Sequence, residues 1–311
     1  MAIWVGADFD AAEWAAWWPA LQAALPGERL LRERTPADAS LIDIALVANP
    51  PPGSLRGLPA LRLVQSLWAG VDRLLADPDL PPDVPLARMV DPAMADAMAQ
   101  TALWAVLGLH RDFFDYAAQQ RARLWQPHPQ RRAGELRVAV LGLGAMGRAC
   151  SLRLAAMGYD VIGWSRQPSA AADIATASGE AALDGVLGGA DIVVNLLPLT
   201  PATRGFFDAA RLLRLRSGAS LVNLGRGGHV VDADLLAALD SGRLRHAVLD
   251  VFAAEPLPSD HRYWSHPRVT VLPHIAAQTD PRSAAQVVAA NVRALREGRP
   301  IAHRVDRTRG Y

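Results

Sequence analysis

The spacing of hydrophobic positions changes several times along this chain, and the changes mark alternating strands and helices. Short apolar runs bounded by Pro, Gly or Asp fall at residues 3–6, 42–47, 61–67 and 86–90 and predict four strands. Between the first two, Trp14, Trp17 and Trp18 recur at helical spacing, which puts three rings on one helix face packed against a core. Asp91-Pro92 reads as a helix start, and helical periodicity continues to about Arg123. Residues 126–134, rich in Gln, Pro and Arg, break the pattern and predict a loop.

A second α/β region follows. Apolar segments at residues 136–141, 160–164, 191–196, 220–224, 247–251 and 269–272 predict six strands, with helices between most of them. Several are apolar at nearly every position, which fits a parallel sheet covered on both faces. A last helix, at about residues 281–296, precedes a polar tail. No repeat or low-complexity tract interrupts the pattern, and the alanine-rich stretch near Ala170 reads as a surface segment.

Composition narrows the function classes. At 311 residues there is room for two domains, and 51% hydrophobic with 20% charged residues is a globular composition. A net charge of +1 gives no field that would gather nucleic acid or an acidic membrane surface. Cys150 stands alone, so no internal disulfide is expected. All 32 basic residues are arginine. Chemistry that needs a lysine at its centre, as in P-loop ATPases, pyridoxal enzymes and Schiff-base aldolases, is thereby excluded. Neither a signal-peptide pattern nor a membrane-length apolar run is present, so a cytoplasmic location is expected.

The first strand of the second region runs into Gly142-Leu-Gly144-Ala145-Met146-Gly147 and then a helix. In G-x-G-x-x-G the first glycine permits the turn, the second lets backbone approach a pyrophosphate, and the third lets helix and strand pack closely. The motif alone is a weak signal; strand before, helix and second strand after make it a dinucleotide site. The helix N-terminus adds free N–H groups and a positive dipole end for phosphate. An acidic residue for a ribose 2′-hydroxyl is expected about 20 residues on. This chain instead has Trp164-Ser165-Arg166 there. A missing carboxylate and a present guanidinium both favour a 2′-phosphate, so NADP(H) is preferred, with NAD(H) possible.

Three segments follow the C-terminal ends of the last three predicted strands and carry Arg226, Glu255 and His274. Ligands of open doubly wound sheets bind outside the C-terminal strand ends, so the three can converge although 29 and 19 residues separate them. Arg226 can pair with a carboxylate and polarise the neighbouring carbonyl. His274 can give a proton to the carbonyl oxygen as hydride arrives, and Glu255 can orient the imidazole and favour its charged form. No ligand spacing suggests a metal. His261 and His266 fall in a polar stretch and read as solvated.

With Leu196-Leu-Pro-Leu-Thr-Pro-Ala-Thr203, Asp250–Pro256 and Pro273-His274, these segments make the chain resemble the D-isomer-specific 2-hydroxyacid dehydrogenases. Trp164-Ser165-Arg166 and the compact N-terminal region look most like the branch that reduces glyoxylate and hydroxypyruvate. The resemblance implies two doubly wound parallel-sheet domains: a flavodoxin-like substrate domain of residues 1–92 plus 281–311, and a Rossmann cofactor domain of residues 93–280 inserted in it. It implies that Arg226 binds substrate, that His274 is the acid/base and Glu255 its partner. Asp250 would face the nicotinamide carboxamide, and Leu197, Pro198 and Leu224 would line the cofactor cleft. The loop Ser66-Leu-Trp68-Ala69-Gly70-Val-Asp72 matches the substrate loop, so the N–H groups of Ala69 and Gly70 would hold the substrate carboxylate. The long helix after Asp91 would help form a homodimer.

Two departures bear on the substrate. Ala48-Asn49 stand where relatives often carry Trp-His, and Trp68 replaces a smaller residue; Trp68 either shapes the pocket or packs within its loop. The expected reaction is NADPH-dependent reduction of a small 2-oxo acid to the D-2-hydroxy acid. The Glu255–His274 pair disfavours formate chemistry, and the end of the chain soon after the last helix disfavours an added regulatory domain. The rival from another class is a dinucleotide-sensing binding protein of the corepressor kind, which would keep the residues but turn over slowly.

Overall fold

The computed structural model describes residues 1–168 and 173–311; the stretch around Ala170 lies outside the described residues. The chain forms two compact units, Met1–Ala93 with Thr279–Tyr311, and Met94–Gln278. In chain order the first holds β1 (Ala2–Ala7), α1 (Ala11–Ala24), β2 (Leu30–Leu31), β3 (Ile42–Ala48), β4 (Leu63–Ser66), α2 (Asp72–Leu75) and β5 (Leu86–Ala87). After α3 (Pro92–His110) and α4 (Phe113–Ala122), the second holds β6 (Arg137–Leu141), α5 (Ala145–Ala156), β7 (Asp160–Ser165), β8 (Ala175–Ser178) and α6 (Glu180–Gly189). It continues through β9 (Ile192–Asn195), α7 (Ala209–Arg214), β10 (Ala219–Asn223), α8 (Asp232–Asp240), β11 (Leu244–Leu249) and β12 (Val269–Val271). The chain then returns to the first unit as α9 (Pro281–Arg296). No described helix is long and apolar enough to cross a membrane.

The first unit is a five-stranded parallel sheet in the order β2-β1-β3-β4-β5, the flavodoxin-like order. Helices α1 and α9 pack together in it. Two polar anchors hold α9. Arg296 forks onto Glu28 at 2.9 and 2.8 Å and also bonds Asp43 on β3. Buried Asn291 donates to Gln65 on β4 at 2.7 Å and exchanges backbone bonds with Ala302. Of the three helix tryptophans only Trp17 is fully buried; Trp14 and Trp18 are half-buried. They belong to an aromatic group in which Phe9 and Trp17 also meet Trp68 edge-on, at 6.0 and 5.9 Å.

The second unit is a seven-stranded parallel sheet, β12-β11-β10-β9-β6-β7-β8. This is the Rossmann order with one added strand, and its direction of winding reverses between β6 and β9. Alternate residues of each strand enter opposite cores: Ala139, Leu141, Val193 and Leu221 pack with α6, α7 and α8, while Val138, Val140, Val194 and Val222 pack with α3 and α5. Burial on both faces explains the unbroken apolar runs.

Four expectations need correction. The first sheet has five strands rather than four, since the edge strand β2 has two residues, too few to show a period. The second sheet has seven strands rather than six; β8 (Ala-Thr-Ala-Ser) is a partly exposed edge strand of small residues, without the apolar signal of its neighbours. The helix after Asp91 is two helices, because Asp112 adopts a left-handed backbone (φ 59°) between α3 and α4. Arg245 stabilises the break, bonding the Leu109 carbonyl at 3.2 Å and the carboxylates of Asp112 and Asp115. His261 and His266 are structural rather than solvated. His266 is nearly buried and bonds Asp240 at 3.1 Å, and His261 accepts from the Tyr263 N–H.

His246, buried on β11, meets Thr270 at 2.9 Å and stacks on Phe114. Burial pushes its imidazole down to about 4. The unfolded chain therefore binds a proton on acidification before the folded chain does, and stability falls as pH drops from about 6.5 towards 4. The contribution at stake is roughly 3 kcal/mol. Denaturant titrations across this window should show a shallower acid loss for His246→Gln than for the unchanged protein; equal slopes would remove the role.

Candidate active site

The site residues of the second unit sit at the C-terminal ends of its strands. At the end of β6, Gly142 has φ 98°, and a Cβ there would lie 2.6 Å from the Leu196 carbonyl oxygen. A Cβ on Gly147 would lie 1.8 Å from the Gly142 carbonyl oxygen, so this position joins α5 to the strand. Gly144 is different: a Cβ there would meet nothing within 4 Å. The backbone at Gly144, followed by Ala145 and Met146 in the first turn of α5, is therefore open to a ligand, and the helix end favours an anion. At the end of the neighbouring β7, Trp164 is buried and donates to the Gly179 carbonyl at 3.0 Å. Ser165 caps the Gln167 carbonyl at 2.6 Å, and Arg166 is exposed.

Across the reversal of the sheet, β9 and β10 end in a buried polar network absent from the sequence reading. Asn195 Nδ2 donates to Asn223 Oδ1 and meets His229 Nδ1, both at 2.9 Å. Because the amide can only donate, His229 Nδ1 accepts, and its Nε2–H points to the Pro198 carbonyl at 3.2 Å. Asn195 Oδ1 accepts from Leu197 N–H, and Asn223 donates to the Arg226 carbonyl at 3.1 Å. Leu197, Pro198, buried Leu224 and the Arg226 segment are thus braced by one set of bonds. The sequence signal was present in Asn195 and Asn223, polar residues that end apolar strands, and in His229 a few residues past the second of them. Arg226 is half-buried in an extended backbone and bonds the Gly225 carbonyl at 2.8 Å.

The ends of β11 and β12 are joined through Asp250. Its N–H donates to the Asn223 carbonyl, and its carbonyl accepts from His274 N–H at 2.9 Å. Its buried carboxylate accepts from Ile275 and Ala276 N–H, at 2.8 and 3.0 Å. Burial pushes this carboxyl upward from its ordinary value, against the pull of those two donors. These bonds hold His274 in a left-handed backbone (φ 54°), a conformation costly for a non-glycine residue. Glu255 accepts from Phe252 N–H with one oxygen and lies 2.8 Å from His274 Nδ1 with the other. A carboxylate at Nδ1 puts a proton there and turns Nε2 outward. The His274 side chain is about half exposed (53%), so the ring is accessible.

In the first unit, the loop after β4 is shaped by Ser66, whose hydroxyl accepts from Trp68 N–H at 3.0 Å and donates to the Trp68 carbonyl at 2.9 Å. Ala69 and Gly70 follow, half-buried. Trp68 is held against Phe9 and Trp17 and packs within its own unit.

Parallel sheets with a glycine turn at the winding reversal, and a carboxylate–imidazole pair at neighbouring strand ends, define a dinucleotide-dependent oxidoreductase architecture. Residues 103–276 match the model of the D-isomer specific 2-hydroxyacid dehydrogenase NAD binding domain. Over 300 residues the chain is 41% identical to a glyoxylate/hydroxypyruvate reductase A of Klebsiella pneumoniae (strain 342), covering 95% of this chain and 96% of that protein. Among solved structures it resembles a D-isomer specific 2-hydroxyacid dehydrogenase from Xanthobacter autotrophicus Py2 in complex with NADPH and MES, with 43% identity and a TM-score of 0.94 over 100% of this chain and 99% of that one. An NADPH-dependent glyoxylate/hydroxypyruvate reductase from Sinorhizobium meliloti, in complex with NADP and sulfate, is 38% identical with a TM-score of 0.93, over 100% and 99%. The chain belongs to the D-isomer-specific 2-hydroxyacid dehydrogenase family.

The glycine geometry separates packing from ligand space. Gly147→Ala should lower Tm by several degrees, since overpacking of about 1–3 kcal/mol has no room to relax against backbone. Gly144→Ala should leave Tm nearly unchanged in the ligand-free protein. Calorimetric scans of both variants decide it, and similar losses in both would contradict this division.

Proposed function

We propose that this chain reduces small 2-oxo acids, such as glyoxylate or hydroxypyruvate, to the D-2-hydroxy acid with NADPH. The observation that carries the reading is the 2.8 Å contact between the Glu255 carboxylate and Nδ1 of the accessible His274 imidazole, beside the Arg226 segment. In this reading the nicotinamide supplies the hydride. The turn that Gly142 and Gly147 permit, with its open backbone at Gly144 and the N–H groups of Ala145 and Met146, would hold the pyrophosphate. Leu197, Pro198 and Leu224 would line the cofactor's path, and Asp250 would mark its nicotinamide end. Ser165 and exposed Arg166 close β7 without a carboxylate, which favours a 2′-phosphate over a 2′-hydroxyl. The relatives solved with NADPH and NADP support the same preference, with NAD(H) as the weaker alternative.

The chain's own residues would do the following. Ala69 and Gly70 would offer N–H groups to the substrate carboxylate. Arg226 would bind substrate and polarise the carbonyl, stabilising negative charge that grows on its oxygen. Nε2 of His274, protonated, would give its proton to that oxygen, and Glu255 would stabilise the imidazolium and keep the ring in place. The first unit would serve as the substrate domain and the second as the cofactor domain. Assembly as a homodimer is supported by the apolar surface of the α3–α4 region, where Trp104, Phe113 and Trp125 are exposed.

His274→Ala should lower turnover of glyoxylate by about 10²–10⁴-fold while leaving NADPH binding, read by fluorescence titration, near its original strength. Retained turnover would remove the acid/base assignment. Arg166→Ala should raise the KM for NADPH about 10-fold or more, as expected for a lost charge-assisted bond of roughly 1.5–3 kcal/mol, and leave the KM for NADH nearly unchanged. Equal effects on the two cofactors would count against a 2′-phosphate contact.

A further inference from the structure

Arg88 directly follows β5 and is half-buried, yet among the described residues none accepts a bond from its guanidinium. Other half-buried arginines have acceptors: Arg153 has Asp96, Arg211 has Glu180, Arg296 has Glu28 and Asp43, and Arg307 has the carbonyls of Pro81 and Val84. A guanidinium stays charged in proteins, and shielding it from water without a partner is unfavourable. Burial also lowers its pKa, and the charge in turn helps push the imidazole of His303 down, after burial itself.

The fold brings the Arg88 segment beside a loop with two unused donors. Strand β5 pairs in parallel with β4, so Arg88, the first residue after β5, leaves the sheet on the same edge as the loop that follows β4. Leu86 packs with Val71 and Leu74, which begin immediately after Gly70. The Arg88 segment is also stitched to the same loop by the Met89 N–H, which donates to the Trp68 carbonyl at 3.1 Å. Among the described residues, none accepts from the N–H of Ala69 or Gly70. A guanidinium together with two free N–H groups is a donor set suited to an oxoanion.

We infer that Arg88 is a further ligand of the substrate carboxylate, beside the N–H groups of Ala69 and Gly70 to which the proposed function already assigns it. The inference rests on the reading of the substrate as a 2-oxo acid. It gives the first unit a charged substrate ligand of its own and leaves Arg226 to act at the carbonyl oxygen. Arg88 is then a binding residue, whose loss weakens capture of the acid more than it slows the chemical step.

The test uses Arg88→Gln and Arg88→Lys in the full chain. Oxalate, an unreactive dianion, is titrated calorimetrically into the protein saturated with NADPH, and steady-state constants are measured with glyoxylate. Arg88→Gln should raise both the Kd for oxalate and the KM for glyoxylate about 10- to 100-fold, with kcat changed far less and the KM for NADPH unchanged. Arg88→Lys, which keeps a point charge but not the fork, should fall between and serves if the Gln variant does not fold. Oxalate affinity and glyoxylate KM within twofold of the unchanged protein in both variants would overturn the inference, as would an equal rise in the KM for NADPH. If the unchanged protein binds oxalate but reduces no 2-oxo acid, the functional reading fails, and loss of oxalate binding in Arg88→Gln still supports the anion site.

Discussion

The geometry of the candidate site depends on one buried carboxylate. Asp250 bonds the end of β10 through its N–H, the loop after β12 through its carbonyl, and the next two N–H groups through its side chain. A loop beyond a parallel strand has no ladder to satisfy its donors, and unsatisfied buried donors are costly. Asp250 supplies the acceptors, and in doing so holds His274 at a positive φ. The backbone of His274 is thereby fixed while its ring stays accessible. A group that exchanges protons with a ligand needs both properties, and neither follows from the imidazole itself.

Much of this was legible in the sequence because strands covered on both faces leave a strong signal. The runs that became β1, β3, β6, β9 and β10 are apolar at nearly every position, since alternate residues serve two different cores. The glycine loop was legible for a steric reason: at Gly142 and Gly147 backbone oxygens occupy the place of a side chain. The start of α9 was legible in Asp280-Pro281, where the Asp280 side chain accepts from Arg282 N–H and proline takes the first helical position.

What was not legible depends on long-range partners. No local pattern distinguishes Asp112 from a helical residue; its left-handed backbone is held by Arg245, brought there from β11. The edge strand β8 has small side chains because little packs over it, so its pairing with β7 is a backbone matter. The network of Asn195, Asn223 and His229 joins residues 28 and 34 positions apart; alone, the two asparagines look like polar residues ending strands and the histidine like a loop residue. Arg88 carried no signal either, since a guanidinium without an acceptor is recognised only when its surroundings are known.

The eight histidines show how surroundings assign different work to one side chain. His229 is fully buried, with Nδ1 facing Asn195 and Nε2 facing Pro198, so both ring nitrogens are occupied by protein. His110, with Tyr159 and the Arg131 carbonyl, is likewise engaged at both nitrogens. His266 is nearly buried with Asp240 on Nε2 and the Arg268 N–H on Nδ1. His246 is held neutral by burial, far below the pH at which an imidazole ordinarily titrates. His274 alone among the described histidines combines a carboxylate hydrogen-bonded to one nitrogen with no protein partner on the other and an accessible ring. A proton can be delivered only from a nitrogen that the protein has left unoccupied, and it is replaced readily only where an anion behind the ring stabilises the charged form. By that criterion His274 is the histidine to which the proposed proton transfer is assigned, without reference to any motif.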